Sequence, residues 1–439
     1  MKKILLLSMT LASSQGLAST AGVNPGSSMT TGPSSNVHSI AAASNNPAMT
    51  SLLVDDDQRW RFSYFPSLGF SAEYGDVENF SDDIEELIDI IDDPSLIQDP
   101  VNEVLTRFNN ALVTLGDTGY LKSTLGIGAP IPALVHRSPA LNSSVGISAS
   151  VLGQASLQVL DDELTYDDQN GTFATATSLY LKSGIQKSLT VSYSQPIKTT
   201  PRLRFAKKGK LYGGISAKLI SLELSKQVSP LQQLEGDDVS SILRDEYDAN
   251  LNESTNLALS AGLVWETGRY RLGFTLENIN SPKFDYGAIG VDCADKPENT
   301  TARSSCEAAA QFIQADGRIR ARETHTMHAR SRVDGLVYIN QNWMATAALD
   351  LAAYNDIVGF ENQWMHLATI YEFENRYVPS LRVGLQKNLA GQKLSSLTFG
   401  TSLFRFLSLD VEYGLDKTTI DGSSAPRRFG IALGIEESF

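Results

Sequence analysis

Over residues 429–439 (FGIALGIEESF) nearly every second position is apolar. Phe429, Ile431, Leu433, Ile435 and Phe439 fall on one side of an extended chain, interrupted by Glu437. Gly430, Ala432, Gly434, Glu436 and Ser438 fall on the other. A two-residue period predicts a strand with one apolar face. In a barrel that crosses a membrane this face meets lipid and the other meets the lumen. An edge strand of a soluble sheet gives the same alternation, so the rest of the chain has to decide.

The alternation recurs. Segments 60–74, 121–135, 143–160, 187–197, 210–227, 256–266, 269–279, 328–340, 343–353, 364–374, 378–389, 393–404, 405–415 and 427–438 read as strands. Fourteen is an even number, as a single-chain bacterial barrel requires. Segment 172–185 also has strand character, which leaves fourteen or sixteen. Two stretches break the period. Ile84, Leu87, Ile88 and Ile91 have helical spacing after an acidic, capped start at Ser81-Asp82-Asp83, and Pro94 ends the run. Val101, Val104, Leu105, Phe108, Leu112 and Leu115 form one face of a second helix, which Gly116 is expected to stop.

Connector lengths test the barrel reading. With the C-terminus in the periplasm, the connectors on that side are 266–269, 341–342, 375–378, 198–209, 136–142 and the residues around Phe404, most of them short. Those on the outer side are 75–120, 161–186, 228–255, 280–327, 354–363, 390–392 and 416–426, most of them long. Outer-membrane barrels have this asymmetry, and a soluble sandwich has no reason for it. Both helices fall in the outer loop 75–120.

The two faces of the strands differ in chemistry. Leu257, Leu259, Ala261, Leu263 and Trp265 share a parity, as do Leu407, Leu409, Val411, Tyr413 and Leu415. The opposite parity collects charge: Arg271, Glu277, Arg330, Arg332, Asp334, Asp350, Arg382, Asp410, Glu412 and Arg428, with Glu266 and His328. An Arg or Lys facing lipid near the midplane costs about 2–4 kcal/mol. These charges are therefore expected to line the lumen, paired with one another. Trp60, Trp265, Trp343 and Trp364 fall near predicted strand ends, which predicts an aromatic girdle.

Composition adds an address. Lys2 and Lys3 precede an apolar run from Ile4 to Ala12, and Gly16 and Ala18 suit a signal peptidase. Residues 1–18 thus read as a signal peptide. No later run approaches the roughly 20 apolar residues of a transmembrane helix. A formal net charge of −14 argues against non-specific nucleic-acid binding. Residues 19–58 are rich in Ser, Ala, Asn and Gly. They read either as a disordered mature N-terminus or as a plug that folds only inside a barrel wall. In an exported chain, Cys293 and Cys306 read as one local disulfide in the outer loop 280–327.

Catalytic signatures are missing. G-x-S-x-G, the P-loop and H-E-x-x-H do not occur. Glu323, His325 and His328 are the nearest approach to a metal set, but strand positions three apart face opposite ways. No metal, no cofactor and no enzyme activity are expected. The basic run Arg202, Arg204, Lys207, Lys208 and Lys210 reads as a solvated periplasmic turn.

Three stretches carry a family resemblance. Asn45-Asn46-Pro47-Ala48, followed by a strand and then the acidic helix over 81–93, resembles the start of conjugal transfer TraF-like proteins of bacteria. These in turn resemble FadL-type outer-membrane barrels for hydrophobic compounds. Residues 343–351 (WMATAALDL) and 381–388 (LRVGLQKN) are similar to a pair of strands in that family. The resemblance implies an all-β fold: a transmembrane antiparallel β-barrel of about 14 strands over 59–439, with an N-terminal plug over 19–58 and short helices in an extracellular loop. Asn46, Pro47 and Ala48 would lie in or under the lumen. The implied place is the outer membrane of a Gram-negative bacterium, and the implied function is binding or passing small hydrophobic molecules. The alternative is a non-transporting component of conjugal transfer or surface assembly. The partners expected are outer-membrane lipid, a hydrophobic small molecule, and the barrel-assembly machinery, which would read Phe439 as an assembly signal. Nucleic acid is not expected.

Overall fold

Alternating faces bring the strand segments into a sheet that closes on itself. The computed structural model describes residues 26–34, 42–55, 57–63, 67–77, 86–87, 89–91, 99–128, 133–197, 209–231, 247–315, 317–375, 377–404, 407–420 and 422–435. The expected signal peptide, the helix start at 81–83 with Ile84, Ile88 and Pro94, the basic positions Arg202, Arg204, Lys207 and Lys208, and Glu437 and Phe439 lie outside these residues.

The main sheet has sixteen hydrogen-bonded segments, and two strands are each built from two of them. Strand β1 comprises Trp60–Ser63 and Leu68–Tyr74. Strand β2 comprises Tyr120–Gly128 and Ala133–Ser138. Trp60–Ser63 pairs with Ala133–Ser138, and Leu68–Tyr74 pairs with Tyr120–Gly128. The others are β3 (Ser143–Leu160), β4 (Ser178–Ile197), β5 (Lys210–Pro230), β6 (Asn252–Glu266), β7 (Tyr270–Glu277), β8 (Arg330–Tyr338) and β9 (Trp343–Asp350). Then follow β10 (Trp364–Tyr371), β11 (Ser380–Asn388), β12 (Ser395–Leu403), β13 (Leu407–Gly414) and β14 (Arg428–Ile435). Each pairs antiparallel with its chain neighbours, and β14 returns to β1 with Leu433 opposite Leu68 and Arg428 opposite Glu73. The result is a closed fourteen-strand antiparallel barrel. The segment that left the count open divides: from Ser178 onward it belongs to β4, and Thr172–Ala174 pairs with Thr165–Asp167 in a separate hairpin.

The outward face is apolar. Ile215, Leu219, Leu257, Leu263, Leu272, Phe274, Val411 and Ile431 are all exposed. An apolar surface of this extent is costly in water and suited to hydrocarbon. Among the described residues no helix is long and apolar enough to cross a membrane, so the strands do the crossing.

The barrel is taller on one side. β4 and β5 run 20 and 21 residues, against 9 for β11. At ~3.3 Å per residue a strand of β4's length far exceeds the ~25 Å apolar band even when tilted. The excess projects at the long-loop rim, where two helices pack on it. Helix α1 (Val101–Thr118) buries Val104, Phe108, Leu112 and Leu115 against Val159, Leu179, Leu164 and Phe173. Val159 and Leu179 share the outward parity of their strands, so α1 lies on the flank. Helix α2 (Thr301–Ala315) packs Ala309 and Phe312 against Leu160, Tyr180 and Val228, which have inward parity. It therefore covers the lumen. The Cys293–Cys306 disulfide, 13 residues apart in sequence, ties its first turns to the preceding 3₁₀ turn.

Two expectations are corrected. Gly116 does not stop α1, which continues to Thr118 with Gly119 as its C-cap. A Cβ at 116 would lie 1.8 Å from Asp161 Oδ1, so this glycine permits close approach of the helix to the β3 connector. Trp364 is not part of an outward girdle. It is 5% exposed on the lumen face of β10, with the Arg428 guanidinium 4.7 Å from its ring centre. Trp60 and Trp343 are exposed at the short-turn rim.

Candidate functional site

The lumen is the candidate site: three layers of contacts occupy it, and a fourth is open. The first is the N-terminal segment. Its described parts run inside the barrel as two single-turn helices, Ser28–Thr31 and Ala42–Asn45, and a 3₁₀ turn, Pro47–Ser51. Asn46 caps that turn: its Oδ1 accepts from the Ala48 N–H at 3.0 Å. Its Nδ2 donates to the wall, to the carbonyls of Leu263 (3.2 Å) and Phe274 (3.4 Å). The Ser194 hydroxyl donates to the Ala48 carbonyl at 2.9 Å. Ala48 and Met49 are 0% exposed, and Pro47 is buried. Upstream, the Thr30 N–H donates to Asp410 Oδ2 at 3.2 Å, and the Thr346 hydroxyl donates to the Thr31 carbonyl at 3.1 Å.

Wall glycines make this approach possible. A Cβ at Gly214 would lie 2.4 Å from the Ala48 nitrogen, and one at Gly262 would lie 2.0 Å from Asn46 Oδ1. At Gly384 it would meet the Thr30 carbonyl at 2.7 Å. Glycine within a strand weakens it unless a backbone must come close, and here one does.

The second layer is charge, toward the long-loop rim. Arg428 Nη1 lies 2.9 Å from Glu73 and its Nε 2.5 Å from Glu412. Arg332 joins Asp350 (2.8 Å) to Glu277 (3.4 Å), and Arg330 donates to Glu277 from Nε at 2.7 Å. Deeper, Arg382 pairs with Asp410 at 2.5 Å, and at the short-turn rim Arg271 pairs with Glu266 at 2.9 Å. Asp334 is buried on β8 with the same inward parity as Arg330 and Arg332. Residues from sheet positions far apart in sequence thus form connected pairs, since a lone buried charge is costly. Sequence reasoning missed other members. Glu73, Lys122, Lys182 and Lys226 are buried, and strand parity places them on the inner face. Lys182 reaches Glu323 of the outer loop at 2.7 Å.

The third layer is apolar and lies under the outer loops. Leu152, Ile220, Leu222, Leu224 and Ala258 point inward and are at most 1% exposed. Phe284 and Tyr286 of the loop over 280–327 pack on them. The connector between β9 and β10 enters this space. Its short hairpin pairs Tyr354–Asn355 with Glu361–Asn362, and Asp356, Ile357 and Val358 at its tip are each 2% exposed. Lys122 Nζ holds Asp356 at 2.7 Å, Gln154 Oε1 accepts from the Ile357 N–H at 3.3 Å, and the Tyr286 hydroxyl donates to the Ile357 carbonyl.

Beside the tip, in the loop over 280–327, sits His325. Burial pushes its imidazole down to about 4, with nearby Asp356 and Glu323 opposing the shift and Lys182 and His328 adding to it. Among the described residues no group of His, Cys, Asp or Glu is arranged to hold a metal ion.

The fourth layer is space. Below the N-terminal segment, at the short-turn rim, a vestibule of about 730 Å³ is lined by residues including Leu52, Arg61, Arg137, Tyr212, Arg271 and Arg382. Arg61 and Arg137 donate to the carbonyls of Leu53 (3.2 Å) and Val54 (3.3 Å), which ties the end of the N-terminal segment to the wall.

A closed barrel with an apolar outer band, short turns at one rim and an occupied lumen is an outer-membrane β-barrel, the kind found in Gram-negative bacteria. The family model described as "F plasmid transfer operon, TraF, protein" matches residues 43–350, more than half of the chain, and the protein belongs to that family. Among solved structures it is similar to a Pseudomonas aeruginosa FadL homologue, at 14% identity over 96% of this chain and 100% of that one, with a TM-score of 0.41. It is also similar to the P. putida toluene transporter TodX, at 13% identity over 90% and 92% of the two chains, with a TM-score of 0.46. The Ralstonia pickettii toluene transporter TbuX is 12% identical over 91% and 94%, with a TM-score of 0.40. No curated protein matches the chain.

Proposed function

We propose that this barrel passes small apolar molecules across the outer membrane, entering at the long-loop rim and leaving toward the vestibule. The observation that carries this reading is the third layer. A pore for ions or sugars has a polar, hydrated interior. Here Leu222 and Leu224 are 0% exposed inside the wall. Inward-facing leucines gathered under the outer loops fit a compartment for an apolar guest. The N-terminal segment, acting as a plug through Asn46, Pro47 and Ala48, would keep water and ions from following it.

The test is uptake by cells. Deleting the protein should slow uptake of radiolabelled toluene (the compound named for the similar transporters) and leave hydrolysis of an external β-lactam unchanged. Restoring the gene should restore toluene uptake. Equal uptake with and without a correctly folded barrel would refute the proposal. A second reading rests on the family description: a non-transporting component of conjugal transfer or surface assembly. It predicts that the same deletion lowers mating frequency or surface assembly while toluene uptake is untouched.

A further inference from the structure

Ile357 and Val358 sit where a guest would. The walls around them belong to barrel strands: Leu152 on β3, Gly184 on β4, Ile220 and Leu224 on β5. Gly184 makes the space, because a Cβ there would lie 3.1 Å from Ile357 Cδ1 and 2.8 Å from Leu224. The tip itself is weakly built. Its ladder is two residues long on each side, and a short isolated hairpin has little stability of its own. At the tip it is held by the Lys122–Asp356 pair and by Gln154 and Tyr286, and at its base by the Tyr120 ring on Phe360 and by Arg330 over Tyr354.

Withdrawal of the tip would not strand its charges. Asp356 accepts from its own loop, from the N–H groups of Val358 (3.2 Å) and Phe360 (2.8 Å) and from Asn362 Nδ2 (3.2 Å). Those bonds leave with it. Lys122 stays near Glu73, with which it interacts electrostatically. An empty seat would keep the apolar walls of Leu152, Ile220, Leu222 and Leu224, with Gln154, Gln186, Lys218, His325 and Tyr286 along its polar side, and would lose the contacts that Ile357 and Val358 now make. A molecule that refills its apolar part must be mainly hydrocarbon and about as bulky as the two side chains together.

We propose that the Ile357–Val358 seat is a binding site for a small apolar molecule, and that the hairpin tip is its built-in competitor. The proposal rests on the passage reading above and adds the place at which the molecule pauses. A seat occupied by its own chain lowers apparent affinity by the fraction of molecules in which it is open. Removing the competitor therefore tightens binding without adding a contact.

The experiment is equilibrium binding of toluene to the purified full-length protein in detergent, with heat-modifiable migration as the check on folding. The I357G/V358G variant should bind toluene more tightly than the parent, by roughly tenfold if the tip is withdrawn about a tenth of the time. Leu152→Trp, added to that variant, fills the seat and should abolish the gain. Should Leu152→Trp fail to fold, Ile220→Trp on β5 does the same from another strand. Unchanged affinity in the double-glycine variant, no binding to either protein, or a gain that neither tryptophan reverses would overturn the proposal. Cell uptake separates the two levels. Barrel-dependent toluene uptake with an unaltered double-glycine affinity refutes the seat and leaves passage standing. The expected binding pattern without barrel-dependent uptake refutes passage and leaves the seat standing.

Discussion

Gly214 and Arg428 represent two ways in which single residues hold this lumen. At Gly214 a missing Cβ lets the Pro47–Ala48 turn lie against the wall. Gly214→Val should force that turn away while the strand, which tolerates valine, still forms. The expected result is a folded barrel that conducts ions in planar bilayers where the parent stays closed; a closed variant would argue that the turn does not seal the lumen. At Arg428 one guanidinium neutralises Glu73 and Glu412 together. Arg428→Met should cost about 3–5 kcal/mol, because two carboxylates are left buried and facing each other. It should appear as a large drop in the temperature at which the heat-modifiable form is lost, and Glu412→Gln should restore part of it. The two features were not equally legible. Charge on one parity of the strands pointed to inward-facing residues without any structure, since lipid excludes it. The seating glycines were not legible, because a glycine in an alternating segment reads as a weak strand position until the backbone opposite is known.

At the scale of elements, strands could be read and loops could not. Alternation located all fourteen strands, and the amphipathic face of α1 was visible from Val104 to Leu115. The end of α1 was misplaced because Gly116 acts through contact with Asp161 and not through its helix propensity. Helix α2 was missed. Its stretch of Thr, Arg, Ser and Ala looked like a polar loop, although Ser305, Ala309 and Phe312 repeat at helical spacing and are all buried. Its neighbour, the short pair of Lys283–Asp285 with Thr324–Thr326, carries a pH dependence. His325 is held neutral, pushed from 6.5 to about 4 by burial. Once unpacked, the same imidazole takes up a proton below about pH 6.5. The packed loop is therefore fully stable above pH 6.5 and loses stability as pH falls from there toward 4. Hydrogen exchange of this strand pair, corrected for intrinsic rates, should show protection falling through that window, and His325→Gln should flatten the decline. An unchanged decline in the variant would show that His325 does not set it.

The whole molecule is a barrel whose apolar band faces out, whose charges face in, and whose own chain enters the lumen from two directions. The N-terminal segment occupies it toward the short-turn rim, and the hairpin tip at Ile357–Val358 occupies the apolar space under the outer loops. The barrel was legible because closure demands an even strand count and alternating loop lengths, and both can be counted. The entry of the hairpin was not, because residues 354–363 read as one more outer loop and their partners Lys122, Gln154 and Tyr286 lie far away in sequence. Whether the apolar space serves a guest can be seen directly. Crystals of the protein soaked in bromobenzene should give an anomalous bromine peak inside the barrel, beside Leu152 and Leu224, with the hairpin tip displaced. Bromine found only on the outer face, with the tip in place at saturating concentration, would contradict the account.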